Sequence, residues 1–304
     1  MKIVYFGTSE IGIPILLSLH DQHEILTIVT SPAKAIGRKQ VLTQSPISQI
    51  ASGLGLPILT PEKVKGNSEL LEELKNLDAD IFVVVSYGKI LPLELLDIPP
   101  LKTVNVHFSL LPKYRGAAPV QYALLNGETT TGSTVFILDA EVDHGLILSQ
   151  KQMSIDPDDT NPTLQTKLAK LSSELLLTTL RNYEADAITP QEQDHSQASF
   201  AKIIKKEDGK IDWQKSSQEI YNQFRAFQPW PGIFTIFNDK TLKIIECKPA
   251  SETSLLPGQV SQNIIGCSNN TSLEIITVQL EGKSPTPIKD FLNGYPEFSN
   301  TVLQ

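Results

Sequence analysis

Apolar residues recur along the first half of this chain in two alternating rhythms. Residues 2–6 (KIVYF) and 24–30 (EILTIVT) are short apolar runs of strand length, and residues 11–19 between them read as a helix. Leu70, Leu71, Leu74 and Leu77 then fall at helical spacing. Residues 80–86 carry Ile-Phe-Val-Val-Val, a continuous apolar run that suits a strand buried on both faces. Residues 103–107 are a further short strand. Strands alternating with helices predict an α/β fold, a doubly wound and mostly parallel sheet with right-handed crossovers. Its working loops belong beyond the carboxyl ends of the strands.

Three segments interrupt this pattern. Residues 31–45 are polar and basic, with Lys34, Arg38 and Lys39 and no acid, and read as an exposed loop or lid. Residues 160–182 form a long leucine-rich helix. Residues 189–199 (TPQEQDHSQAS) lack apolar periodicity and are expected to be a linker. Beyond them the texture changes to one short helix at 216–227 and short alternating runs at 234–237, 243–248, 259–261 and 272–280. This predicts a smaller β-rich domain, compatible with an open β-barrel of the oligonucleotide-binding type. The expected boundaries are 1–188, a linker at 189–204, and 205–304.

Composition narrows the function classes. With 304 residues, 40% apolar and 20% charged, the chain is long enough for two globular domains, and wholesale disorder is excluded. Cys247 and Cys267 lack the spacing of a thiolate zinc site and read as buried or half-buried thiols in a reducing compartment. No apolar run reaches the roughly 20 residues that span a bilayer. MKIVYFG runs straight into a strand pattern without a cleavage site, so a cytoplasmic location and no membrane partner are expected. The net charge is −8, from 26 basic and 34 acidic residues, which argues against a general polyanion binder. A nucleic-acid partner would need a local basic patch.

Five segments are weighed for candidate chemistry. Gly7-Thr8-Ser9 follows the first strand, but Gly7 and Gly12 do not make GxGxxG, so neither a nicotinamide nor a flavin is expected. Residues 105–119 read NVHFSLLPKYRGAAP. Asn105 and His107 are two apart on a strand and share one face at its carboxyl end. Each is a candidate for catalysis, with a satisfied core histidine and a turn asparagine as the competing reading. Residues 139–145 (DAEVDHG) put Asp139, Glu141, Asp143 and His144 between two strand-like runs. A solvated acidic turn is the competing reading, and no further His or Glu cluster supports a metal site. An asparagine amide and an imidazolium can donate hydrogen bonds to a developing oxyanion, while a carboxylate accepts protons. Residues 86–92 (SYGKILP) place a glycine where main chain can approach a flat ligand, or are an ordinary strand-to-helix turn. Downstream, Trp213 and the FRAFQPWPG segment at 224–232 read as a packed elbow between domains.

Taken together, these segments resemble the methionyl-tRNA formyltransferase family. Its Asn-x-His-x-Ser-Leu-Leu-Pro-x-Tyr-Arg-Gly pattern is matched from Asn105 to Gly116, its Thr-Gly…Asp-x-Gly segment from Thr131-Gly132 to Asp143-His144-Gly145, and its Tyr-Gly-x-Ile-Leu-Pro from Tyr87 to Pro92. The Asn–His and Asp motifs are common to all 10-formyltetrahydrofolate-dependent formyltransferases. The transfer-RNA branch is marked by a basic insertion similar to Gly37-Arg38-Lys39 and by a C-terminal domain similar to Ile211-Asp212-Trp213, Arg225-Ala226-Phe227-x-Pro-Trp-Pro and Val278-Gln279-Leu280-Glu281-Gly282-Lys283.

The resemblance, which covers essentially the whole chain, implies a Rossmann-like formyltransferase fold followed by an OB-like domain. It implies formyl transfer from 10-formyltetrahydrofolate to the amine of initiator methionyl-tRNA, with no metal. Asn105, His107 and Asp143 would be catalytic. Ser109, Leu110, Leu111 and Pro112 would contact tetrahydrofolate, with Tyr87, Gly88, Ile90, Leu91 and Asp139 framing its pterin. Arg38, Lys39, Lys34, Lys205, Lys206 and Lys210 would meet the tRNA, and a monomer is expected. Three departures stand out. Ser9 replaces a family proline, His144 is outside the pattern, and residues 205–304 hold 10 basic and 11 acidic side chains where a basic surface is expected. The competing functions are formyl transfer to a small amine, such as a sugar nucleotide or purine precursor, and noncatalytic RNA binding.

Overall fold

In the computed structural model, which describes residues 1–36 and 40–303, the apolar runs of the first half become one seven-stranded sheet. Chain order gives β1 (Lys2–Gly7), α1 (Ile13–Gln22), β2 (Glu24–Val29), β3 (Lys34–Ile36), β4 (Val41–Thr43), α2 (Pro46–Gly53), β5 (Ile58–Leu59), α3 (Ser68–Asn76) and β6 (Ile81–Val85). It continues through α4 (Leu93–Leu96), β7 (Thr103–His107), β8 (Arg115–Gly116), α5 (Pro119–Leu125), β9 (Thr130–Ile137), β10 (Ile147–Ser154), α6 (Asn161–Glu184) and β11 (Phe200–Ala201). The sheet order is β10-β9-β7-β6-β1-β2-β5. The pairings from β5 to β7 are parallel, and β9 and β10 close one edge antiparallel. Every residue of β6 and β7 is buried, as expected of strands covered on both faces. Asn67 caps α3 by accepting the Leu70 N–H at 3.0 Å, and the buried Leu70 and Leu74 seat that helix in the core.

Two expectations change. The 31–45 segment is no plain loop: β3 and β4 pair antiparallel within it, each too short to show a period in the sequence. Gly37, Arg38 and Lys39 lie outside the described residues. Residues 189–199 do not form a free linker. Gln191 makes a two-bond antiparallel bridge with Ile147, and the Ser199 carbonyl accepts the Arg115 N–H at 2.8 Å. The segment therefore belongs to the first compact unit, which comprises Met1–Pro119, Thr130–Ser154 and Gln165–Lys202.

The second unit comprises Val120–Thr129, Ile155–Leu164 and Ile203–Gln304. Here α7 (Ser217–Ala226) starts with a reciprocal cap between Ser216 and Glu219. The strands β12 (Ile233–Phe237), β13 (Lys240–Ala250), β14 (Val260–Ser261), β15 (Ile264–Gly266), β16 (Ser272–Leu280) and β17 (Thr286–Pro287) precede α8 (Ile288–Gly294). They form an antiparallel sheet in the order β12-β13-β16-β15-β14, with β17 also on β16, consistent with a small barrel. The aromatic segment is internal to this unit. Trp213 and Phe227 are buried, while Trp230 is 58% exposed. Arg225 is buried and donates to the Asp159 carbonyl at 3.0 Å and to Asn222 Oδ1 at 2.7 Å. Cys247 and Cys267 are free buried thiols, and burial pushes Cys267 up to about 12. Among the described residues no helix is long and apolar enough to cross a membrane.

Candidate active site

β7 delivers the two polar residues that the strand period places together. It lies between β6 and β9, with Asn105 beside Val84 and Phe136 and His107 beside Thr134. Both side chains are buried, so the apolar neighbours that make β7 a strand also strip water from its polar end. His107 Nε2 lies 2.8 Å from the Tyr114 carbonyl oxygen. A carbonyl only accepts, so Nε2 carries hydrogen and Nδ1 is left for other work. Nδ1 is 3.6 Å from Asp143 Oδ2, and these side chains are only 6% and 12% exposed. The Asn105 amide makes no hydrogen bond to a described residue.

Asp143 is held in an uncommon conformation. Its φ is +50°, in the left-handed region that costs most residues about 1–2 kcal/mol and that aspartate tolerates better. The Gly116 N–H donates to its Oδ2 at 2.7 Å. That donor is aimed by β8, which pairs parallel with β11, and Ala117 N–H donates to the Ala201 carbonyl at 2.9 Å. At φ +115°, with the Ala201 carbonyl where a Cβ would stand, residue 116 has room for glycine alone. Gly145 is equally constrained, since a Cβ there would collide with the Ile137 carbonyl. His144 bonds Asp139 Oδ2 through Nδ1 at 2.7 Å and stacks on His195, with ring centres 4.1 Å apart and planes 2° from parallel.

The other expected ligand contacts are distributed unevenly. Ser109 is buried, and its hydroxyl donates to the Lys113 carbonyl at 2.6 Å. Leu111 is buried, while Leu110 and Pro112 keep some exposure. Tyr87 and Leu91 point into a hydrophobic cluster with Phe6 and Phe82, and burial pushes the Tyr87 phenol up to about 12. Their side chains pack into the core, and the exposed part of that loop is Gly88 and Ile90. Asp139 spends one carboxylate oxygen on His144 and the other on the Glu141 N–H at 2.9 Å. Lys34 is exposed in the first unit, and Lys205, Lys206 and Lys210 are exposed in the second. Arg38 and Lys39 lie outside the described residues.

The geometry also brings in groups to which the sequence assigned no role. The Tyr114 carbonyl and Gly116 N–H come from within the motif and act through main chain, which no side-chain pattern advertises. Arg115 and Gln193 are buried and bonded to each other at 2.7 Å, although Gln193 sits in a polar stretch without periodicity.

Comparison with known proteins fits this site. Residues 1–180 match the family model described as formyl transferase, and residues 203–296 match formyl transferase, C-terminal domain. Methionyl-tRNA formyltransferase of Koribacter versatilis is 43% identical over 300 residues, covering 97% of this chain and 96% of that protein. Methionyl-tRNA formyltransferase of Caldanaerobacter subterraneus subsp. tengcongensis is 39% identical over 310 residues, covering 100% of both. The fold is shared with the N-formyltransferase of Helicobacter canadensis, solved with folinic acid and dTDP-3-aminofucose, at a TM-score of 0.69 and 20% identity over 90% of this chain and 98% of that one. A family match over the residues that include Asn105, His107 and Asp143, joined to full-length identity of this order, places the chain in the formyl transferase family.

Proposed function

We propose that this chain transfers a formyl group from 10-formyltetrahydrofolate to the amino group of methionyl-tRNA. The observation that carries the reading is the buried His107–Asp143 pair, 3.6 Å apart, beside an Asn105 amide with no partner among the described residues. Attack of the amine on the formyl carbon puts negative charge on the formyl oxygen. Asn105 and His107, both buried, are the two donors for that charge. Because Nε2 is committed to Tyr114, the donor on His107 is Nδ1–H of the imidazolium. Asp143 keeps one oxygen on the Gly116 N–H and offers the other to the amine's proton, directly or through a water. The proton returns to the departing nitrogen of the donor, so no covalent intermediate with the protein is required.

Tetrahydrofolate is placed against Leu110, Pro112, Gly88 and Ile90, with the turn of Ser109 and Leu111 behind them. Support comes from their accessibility and from the folinic acid bound by the Helicobacter enzyme. For tRNA, the support is the match of 203–296 to the family's C-terminal model together with the exposed Lys34, Lys205, Lys206 and Lys210. Few phosphates can be neutralised by so few cations, so affinity should fall with salt along a shallow slope. The near-neutral balance of 205–304, with 10 basic and 11 acidic residues, is what favours the second reading, transfer to a small amine. Action as a monomer in the cytoplasm belongs to this reading, with the oligomeric state to be checked by light scattering.

Formyl transfer from 10-formyltetrahydrofolate is to be measured with charged initiator tRNA, free methionine and a sugar-nucleotide amine. Transfer to charged tRNA should have by far the highest kcat/KM. Equal efficiency on the sugar nucleotide would move the reading to a small-amine enzyme. No transfer to any acceptor would leave RNA binding alone.

A further inference from the structure

Asp143 is held twice, by its carboxylate and by its main chain, and the second hold comes from the segment that resembles a linker. Gln193 is buried in the first unit. Its Nε2 donates to the Asp143 carbonyl at 3.0 Å and to the Gly145 carbonyl at 2.8 Å. An amide nitrogen has two hydrogens, so both are committed. The amide cannot turn over, because Oε1 accepts from Arg115 Nε at 3.2 Å and from Nη2 at 2.7 Å. Arg115 is itself pinned, with Nη2 reaching His195 Nδ1 at 2.8 Å beneath the ring of His144. Arg115 and Gly116 are consecutive. One dipeptide thus fixes the Asp143 carboxylate through the Gly116 N–H and the flanking carbonyls through Gln193.

We propose that Gln193 is a positioning residue for the reaction. It bridges the carbonyls of Asp143 and Gly145, the residues on either side of His144, so that a residue at φ +50° keeps its carboxylate 3.6 Å from His107. Losing that bridge lets the turn relax and carries the carboxylate away from the reacting amine. This role rests on the proton-transfer role given to Asp143 above.

The test is steady-state formyl transfer to methionyl-tRNA by Gln193→Ala, Gln193→Glu, Asp143→Asn and the two double variants, each checked by thermal unfolding. Glutamate keeps the bond to Arg115 but turns an acceptor toward two carbonyls, so the Arg115 contact should hold the segment while the turn moves and the reaction fails. Both single Gln193 variants should lose kcat by roughly 10- to 100-fold, as displacements of about an ångström do, with little change in KM. In the Asp143→Asn background the same changes should alter the rate by about twofold or less, because the group they position is gone. Equal losses in both backgrounds, or a loss confined to Tm and KM, would overturn the proposal. If Asp143→Asn is impaired and Gln193→Glu is not, Gln193 alone loses its role. If Asp143→Asn turns over like wild type, the reading of Asp143 falls, and the role of Gln193 with it.

Discussion

Two histidine–aspartate pairs sit side by side in the first unit, and they are built for opposite ends. His144 and Asp139 are 2.7 Å apart, with side chains 28% and 38% exposed. His107 and Asp143 are 3.6 Å apart and nearly buried. Ranked by distance, the first pair is the better ion pair. Ranked by what is left over, it is finished: both oxygens of Asp139 are bonded and His144 lies flat on His195. A half-exposed pair of this kind contributes about 0–1 kcal/mol and no chemistry. The second pair is incomplete: Nδ1 of His107 has no partner within hydrogen-bond reach, and Asp143, whose near oxygen Oδ2 is held by the Gly116 N–H, keeps Oδ1 uncommitted among the described residues. Separation and unspent valence, rather than closeness, mark the pair that can work on a third group.

Variants of the two pairs put this contrast to the test. His107→Ala should lower kcat by about 10²–10³, the usual cost of one oxyanion donor, and near-wild-type turnover with saturating substrates would abolish the distinction. Asp143→Asn should cost roughly 10² in kcat, in the range of a lost general base. Gly145→Ala forces a methyl against the Ile137 carbonyl and shifts the turn that carries both aspartates. It should cost about 1–3 kcal/mol of stability by thermal unfolding, together with roughly tenfold in rate. His144→Ala should be the mildest, within about 1 kcal/mol in stability and a few-fold in kcat. A loss from His144→Ala as large as that from His107→Ala would show that both pairs take part.

The elements of the sheet were legible because burial on both faces leaves an apolar run that nothing else explains, as in Ile81–Val85. Asn105 and His107 were legible as a pair because a strand has a period of two. Asp143 came from the motif alone, since an acidic turn without that context is as easily solvated. Gln193 was not legible, because its partners lie 48 to 78 residues away and two of its four hydrogen bonds go to main-chain carbonyls. The orientation of Tyr87 was equally hidden: an aromatic after a buried strand can serve a ligand or the core, and here Phe6 meets it edge-on with ring centres 5.5 Å apart. The makeup of the second unit was missed for a similar reason. Arg225 ties Ile155–Leu164 into that unit through the Asp159 carbonyl, a contact that spans 66 residues.

The pairing of β8 with β11 bears on how this enzyme can be taken apart. The match to the first family model ends at residue 180, yet the strand pressed against Gly116 is Phe200–Ala201. The transferable module is therefore longer than its family boundary. A chimaera joined at 180 would take its aspartate-bearing turn without the backbone that braces it, whereas one joined after Ala201 would keep it.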